Sequence, residues 1–295
     1  EYLELRLGDA SGDLKAFLWD VRAVEGDMDL VKADAFLKVK GRVDAYNGRV
    51  QLKLDKVRVA TDEEVGDLSR FFPVSPRPVP EMLAELDALV ASGGDPWIRR
   101  LLEELLVKDA ALREALGRAP AAKSMHHVHL GGLLEHTLSV AAMAEQASAH
   151  YRELNRDLLL AGTLLHDLGK TAELSYARSF GYTDAGNLLG HISLEADWIR
   201  RAAERLAPFP EELLLQLLHM VLAHHGRLEF GSPVLPKTPE ALVLHYLDDL
   251  DSKLEGVLRT IREYSGDGHW TPYSRALDRV LYKVRWPRAS APEGV

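Results

Sequence analysis

The hydrophobic period of this chain changes once, and that change decides what it can fold into. Up to about residue 60, apolar side chains recur at every second position, the period of strands exposed on one side. Beyond residue 80 they recur at three- and four-residue spacing, the period of helices with one buried face. Between the two regions, Phe71 and Phe72 precede Pro73, Pro76, Pro78 and Pro80, a proline density that makes a stiff, extended connector. The expected fold is therefore multi-domain α+β: a β domain over 1–65, a linker over 66–80 and an all-α domain over 81–290.

In the first region Leu3, Leu5 and Leu7 alternate with polar residues, and the stretch 9–13 with Gly12 reads as a turn. Leu14, Ala16 and Leu18 then interleave with Lys15, Phe17 and Trp19. Leu37, Val39 and Val43 mark a third strand, and Val50, Leu52 and Leu54 a fourth. Between these two sits Asn47-Gly48, which suits a type I′ hairpin turn because both central residues need positive φ. After Leu54 the apolar parity slips to Val57 and Val59, which predicts a bulge or bend. Several short, tightly turned strands in so few residues predict a small barrel.

Past the linker, Met82, Leu83, Leu86, Leu89 and Val90 predict one helix, and Ile98, Leu101, Leu102, Leu105 and Leu106 another, with Pro96 in its first turn. Residues 173–189, which include Tyr176, Phe180, Gly181, Tyr182 and Gly186, read as a loop or small hairpin.

Eleven of the twelve histidines lie between 126 and 245, inside the helical region. His136 follows Gly131-Gly132-Leu133-Leu134-Glu135 on an apolar helix, and His166-Asp167 ends the apolar run 158–165 ahead of Gly169-Lys170. His191 starts a later helix, His224-His225 closes another before Gly226, and Asp248 lies on the last long helix beside Asp249 and Asp251. A carboxylate buried beside an imidazole costs several kcal/mol unless something satisfies it, and a divalent cation does so. The chain has no cysteine, so the ligands must be His, Asp or Glu. Mixed imidazole and carboxylate ligands suit Mn²⁺, Fe²⁺, Co²⁺, Ni²⁺ or Zn²⁺ better than Ca²⁺ or Mg²⁺. Helical spacing alone leaves open whether Asp248 or Asp251 faces such a metal. His126, His127 and His129 could meet a phosphate or simply form a polar loop, while His219 and His245 read as core residues.

The ordered set His136, His166-Asp167, His191, His224-His225, Asp248 resembles the signature of the HD-domain metal-dependent phosphohydrolases in their extended, two-metal form. The strings Gly-Gly-Leu-Leu-Glu-His-Thr at 131–137, His-Asp-Leu-Gly-Lys at 166–170 and Leu-His-Tyr-Leu-Asp-Asp-Leu-Asp at 244–251, together with the β domain, resemble the YhaM-type 3′→5′ exoribonucleases. Those join an oligonucleotide-binding (OB) barrel to an HD domain. The resemblance implies that His136, His166, Asp167 and Asp248 hold one metal, that Asp167, His191, His224 and His225 hold the second, and that Asp167 bridges. Two Mn²⁺ ions are the expected cofactor. Two cations about 3.5–4 Å apart can activate a hydroxide and also stabilise the departing oxygen. Lys170, one turn past His166, would reach a phosphate oxygen; otherwise it is a helix-end lysine complementing the macrodipole. The first strand is short for an OB barrel and position 1 is Glu, so a missing N-terminal strand is expected.

The net charge of −9 argues against a chain coated in positive potential, yet residues 31–60 carry eight Lys and Arg against three Asp. Phe17 and Trp19, with Lys38, Lys40 and Arg42 on the polar positions of their strands, fit a single-strand surface where bases stack and cations track phosphates. Equally, the two aromatics could belong to a core or a domain interface. The expected substrate is single-stranded RNA, with single-stranded DNA as a second class. No apolar run approaches the roughly 20 residues that span a bilayer, and no leader pattern opens the chain, so a cytoplasmic protein with no membrane partner is expected; self-association is left open. Two alternatives stand beside the exonuclease: a phosphohydrolase of small nucleotides and a non-catalytic nucleic-acid-binding factor. Hydrolysis of cyclic dinucleotides is disfavoured because Gly-Arg-Leu-Glu-Phe-Gly-Ser-Pro after His225 lacks a Gly-Tyr-Pro, and hydrolysis of alarmones because Leu-Gly-Lys follows Asp167 where a Glu-Asp pair would be needed.

Overall fold

The computed structural model describes residues 2–122, 129–176 and 181–283. Strands β1 (Leu3–Asp9) and β2 (Gly12–Leu18) form an antiparallel hairpin, as do β3 (Leu37–Tyr46) and β4 (Arg49–Val59). Asn47 and Gly48 join the second pair with φ of 52° and 74°, the conformation their sequence favours. The hairpins meet through a parallel β2–β4 pairing, giving the order β1-β2-β4-β3. A barrel was expected; among the described residues the sheet is open along β1 and β3.

The parity slip after Leu54 has its counterpart in a register shift between Lys40 and Gly41, which keeps both Leu54 and Val57 on the buried face. Gly41 sits so close to the opposite strand that a Cβ there would overlap the Lys53 carbonyl oxygen. Ala16, Leu18, Leu54 and Val57 form the inner core, against which Leu3, Leu5, Leu7, Leu37, Val39 and Leu52 pack. The other face carries Phe17, Lys53 and Arg42 in register across β2, β4 and β3.

Helix α1 (Asp62–Val65) is fixed by a capping box between Thr61 and Glu64. Helix α2 (Val79–Ala91) starts two residues inside the expected linker, with Pro80 in its first turn, where a missing N–H costs nothing. Helix α3 (Pro96–Leu102) runs on into a π-helical stretch at Glu103–Lys108 and is followed by α4 (Ala110–Arg118). The centre of the domain is the pair α5 (Gly132–His150) and α6 (Arg156–Leu165), whose Leu133, Leu134, Leu138, Leu158, Leu159 and Leu165 are fully buried. The chain continues through α7 (Lys170–Glu173), a hairpin of β5 (Leu174–Ser175) and β6 (Gly181–Tyr182), α8 (Asp184–Arg205), α9 (Glu211–Ala223) and α10 (Pro239–Glu263). Helices α9 and α10 close the core with Leu217, Val221 and Leu244.

One expectation needs correction. Residues 184–189 are helical, because Thr183 caps them through its hydroxyl, which accepts from the Gly186 N–H. The helical run breaks at Gly190 (φ 71°), so His191 opens a second segment of α8. No helix of the described residues is long and apolar enough to cross a membrane.

Gly41→Ala should destabilise the sheet by about 1–3 kcal/mol through forced overlap with backbone. Lys40→Ala, on the open face, should stay within about 0.5 kcal/mol. Urea unfolding midpoints of the two variants would check this; equal midpoints would contradict it.

Candidate metal centre

Three helix ends or breaks and two helix faces meet at one point. Helix α6 ends with His166 as its C-cap, and the tight turn after it brings Asp167 and Lys170 round to the same side. Helix α9 ends in the same way with His224 as C-cap, followed by His225. His191 stands just after the break in α8, His136 one turn into α5, and Asp248 midway along α10. His136, His166, His224, His191 and Asp167 are all buried.

The five imidazoles are held by one rule: each Nδ1 is engaged behind the ring. His166 Nδ1 donates to the Thr163 carbonyl (2.7 Å), His224 Nδ1 to the Val221 carbonyl (2.6 Å) and His225 Nδ1 to the Phe230 carbonyl (2.9 Å). A carbonyl oxygen can only accept, so in these three rings the proton sits on Nδ1. His136 Nδ1 lies 2.7 Å from Asp251 Oδ2, and His191 Nδ1 lies 3.0 Å from Glu173 Oε1. Every Nε2 is thereby left to face the centre.

Asp167 stands between two groups of nitrogens. Its Oδ2 is 3.6 Å from His136 Nε2 and 3.5 Å from His166 Nε2. Its Oδ1 is 3.5 Å from His191 Nε2 and 3.7 Å from His224 Nε2. Asp248 Oδ1 joins the first group, 3.2 Å from His136 Nε2 and 3.8 Å from His166 Nε2. Donors bound at about 2.0–2.2 Å around one small cation lie roughly 3–3.5 Å apart, so most of these spacings are edges of a coordination shell and too long for hydrogen bonds. Asp167 Oδ1, His191 Nε2 and His224 Nε2 are buried with no hydrogen-bond partner among the described residues. Orphaned donors and acceptors of this kind call for an ion. Two sets could hold one: His136, His166 and Asp248, and His191, His224 and His225.

Residues 133–253 match the HD domain family. No solved structure matches the chain. The matched span contains every residue just described, and it supports a metal-dependent phosphohydrolase.

Electrostatics within the matched span keep both carboxylates ionised. Burial alone would raise Asp167, but Lys170, His166, His224 and His191 outweigh it and hold it well below the ordinary carboxylate value. Asp248 is held well down in the same way, with the neighbouring His136 and His166 imidazoles overcoming burial. Lys170 Nζ lies 2.7 Å from Asp167 Oδ2 and stays charged, because Asp167 and Asp248 outweigh its desolvation. Burial lowers His225 to about 3, helped by His224 and His191. His136 behaves oppositely: burial works against its charge, yet Asp248 and Asp251 raise it to about 9.

Asp248 and Asp251, which helical spacing could not rank, take separate places. Asp248 faces the cluster, while Asp251 stands behind His136 and also accepts from the Ser139 hydroxyl. Such carboxylate–histidine pairs orient a ring and raise its basicity. Sequence reasoning missed Asp251 in this role, and with it Glu173 and Glu195, whose partners lie far along the chain. His245 donates from Nδ1 to the His224 carbonyl (3.0 Å) and packs on Gly226, so it braces the His224-His225 turn. His219 Nε2 accepts from the Lys237 N–H, remote from the cluster. His129 pairs with Glu135 at 2.8 Å, and His126 and His127 lie outside the described residues.

On the sheet, Phe17 is half-buried and stacks with Trp19 at 6.0 Å, while Trp19 is 58% exposed and also meets Tyr2 at 5.5 Å. Lys38 is paired with Glu64 (2.6 Å), and Arg42 lies 3.9 Å from Asp55. Lys40 shares that face, directly opposite Lys56.

Titration of chelator-stripped protein should separate the two extreme histidines. His136, raised from 6.5 to about 9, stabilises the fold fully below 6.5 and loses that contribution as pH rises through 9. His225, lowered to about 3, contributes above 6.5 and loses its contribution as pH falls towards 3. Thermal midpoints should therefore drop on both sides of pH 6.5, and histidine ring NMR should show one imidazole still protonated at pH 8. No such imidazole at pH 8 would contradict this account of His136.

Proposed function

We propose that this protein is a two-metal phosphodiesterase that degrades single-stranded RNA, and also single-stranded DNA, from the 3′ end. The observation that carries the catalytic part is the position of Asp167: one buried carboxylate with each oxygen turned to a different group of imidazole Nε2 atoms. His136, His166, Asp167 and Asp248 would hold one ion and Asp167, His191, His224 and His225 the other, with Mn²⁺ suited to the mixed nitrogen and oxygen donors. Divalent cations bound there would supply Lewis acidity and a nucleophile at neutral pH.

The chain's own residues prepare the site in three ways. Asp251, Glu173 and the three carbonyls fix the ring orientations, so no imidazole has to turn when an ion arrives. Asp167 and Asp248 are held ionised, so their oxygens need lose no proton. Lys170 places a permanent positive charge at the edge of the cluster, where it can meet a phosphate oxygen and offset charge that develops on it.

The nucleic-acid part rests on the β domain. The order β1-β2-β4-β3, two antiparallel hairpins joined by a parallel β2–β4 pair, supports reading the β domain as OB-type. Its outer face joins the Phe17–Trp19 stack to Lys53 and Arg42, which suits bases stacked along a phosphate track. The 3′→5′ direction follows from the resemblance to YhaM-type exoribonucleases.

Incubating Mn²⁺-loaded protein with 5′-labelled single-stranded RNA should give a ladder shortened from the 3′ end. Cleavage of small nucleotides alone would favour the small-substrate alternative, and no cleavage with any divalent ion would favour a binding factor. Asp167→Asn should abolish cleavage while leaving the circular dichroism spectrum intact, since it removes the charge shared by the two groups. Lys170→Ala should keep the ions and lose about 10²–10³ in rate, the scale of one lost electrostatic donor.

Phe17→Ala with Trp19→Ala should weaken binding of long single strands by about 1–3 kcal/mol per stacked base while sparing hydrolysis of a small phosphodiester. Parallel loss of both in a folded variant would remove the β domain from substrate binding.

A further inference from the structure

Glu195 lies one turn beyond His191 on α8 and is 1% exposed. Its Oε2 accepts from the Gly169 N–H at 3.0 Å, and its Oε1 has no hydrogen-bond partner among the described residues. Burying a carboxyl group with one oxygen unsatisfied is costly, and an apolar residue would fill the same space without that cost. The hydrogen bond it makes is therefore the feature to explain.

That bond ties together the two pieces of chain that must keep register for the second group of imidazoles. Gly169 belongs to the turn that carries Asp167 and Lys170, and Glu195 belongs to the helix that carries His191. Gly169 has an ordinary negative φ of −62°, so glycine is not needed there for backbone freedom. It is needed for approach, because a Cβ at 169 would overlap the His191 carbonyl oxygen. From the other side, Glu173 Oε1 accepts from both the His191 N–H and its Nδ1, each at 3.0 Å. The turn and the helix are thus clamped by Glu195 on one flank and Glu173 on the other, with backbone in contact between them.

We propose that Glu195 is a positioning residue that sets the separation between Asp167 and His191, the α8 member of the second group, so that occupancy of the second ion depends on it. The inference rests on the two-ion reading above. It bears less on the first group, whose His136, His166 and Asp248 come from α5, α6 and α10 and which shares only Asp167 with the clamped turn.

The test is Mn²⁺ stoichiometry and affinity in the full chain, by calorimetry and elemental analysis, with electron paramagnetic resonance reporting exchange coupling between paired ions. Wild type should bind two coupled ions. Glu195→Ala leaves the Gly169 N–H buried without an acceptor; it should weaken the second ion about 10–100-fold, the usual effect of losing an outer hydrogen bond, and abolish the coupling. The first ion, which shares only Asp167 with that turn, should lose much less affinity than the second. Glu195→Gln keeps an amide oxygen for the Gly169 N–H and should retain two ions, whereas Glu195→Asp, one methylene short, should behave like Ala. If Glu195→Ala does not fold, the Gln and Asp variants carry the same comparison. Two tightly bound, coupled ions in the Ala or Asp variant, or equal loss in the Gln variant, would overturn the inference. A wild type that binds fewer than two ions would remove the two-ion reading and this inference with it; a wild type with two ions beside an unaffected Ala variant would remove only the inference.

Discussion

The structure of the helical domain depends on one buried carboxylate. Asp167 is 2% exposed and ionised, with Lys170 in direct contact with one of its oxygens. Its other oxygen faces imidazole nitrogens at distances beyond hydrogen bonding. An apolar core cannot hold a charge in that state without large cost, so the helices around it are organised to supply nitrogen donors and, through them, cations. Among the described residues, the unsatisfied buried side-chain atoms are Asp167 Oδ1, His191 Nε2 and His224 Nε2, on the side of the His191, His224 and His225 group, and Glu195 Oε1.

The way the nitrogens are delivered is economical in backbone terms. A helix leaves its last carbonyls without partners, and His166 and His224 use this: each caps its helix and returns its own Nδ1 to a carbonyl three residues back. The same bond that completes the helix end fixes the ring tautomer. His136 and His191 are in different positions, one inside a helix and one at a break. There the carboxylates Asp251 and Glu173 take that part. The difference explains why some histidines of the set have acidic partners and others do not.

The β domain shows the same interplay of backbone and side chain on a smaller scale. A bulge at Lys40 and Gly41 lets a strand with broken alternation keep its apolar residues on one face. On the other face Lys38, Lys40 and Arg42 stay together by the unbroken alternation of β3, although Lys38 is committed to Glu64 and so is a weaker candidate for contact with phosphate. The turn at Asn47-Gly48 needs nothing from the rest of the chain, because its two residues already favour positive φ.

What the sequence determined by itself was everything that local periodicity and residue chemistry control. The four strands, the hairpin turn, the bulge and the long helices follow from spacing, and the absence of cysteine with histidines clustered at helix ends limits the donors to nitrogen and oxygen. The helical start at Asp184 was not legible, since Thr183 and the glycines around it read equally well as a turn until the hydroxyl cap is seen. Only the tertiary structure decided between Asp248 and Asp251. They are three residues apart on one helix and nearly share a face, so the choice is made by where α5 crosses α10, which puts His136 between them with Nε2 towards one and Nδ1 towards the other. The same holds for Glu173 and Glu195: their partners lie eighteen and twenty-six residues away along the chain, and no local period records a contact that exists only after α8 has folded back onto the turn that carries Asp167.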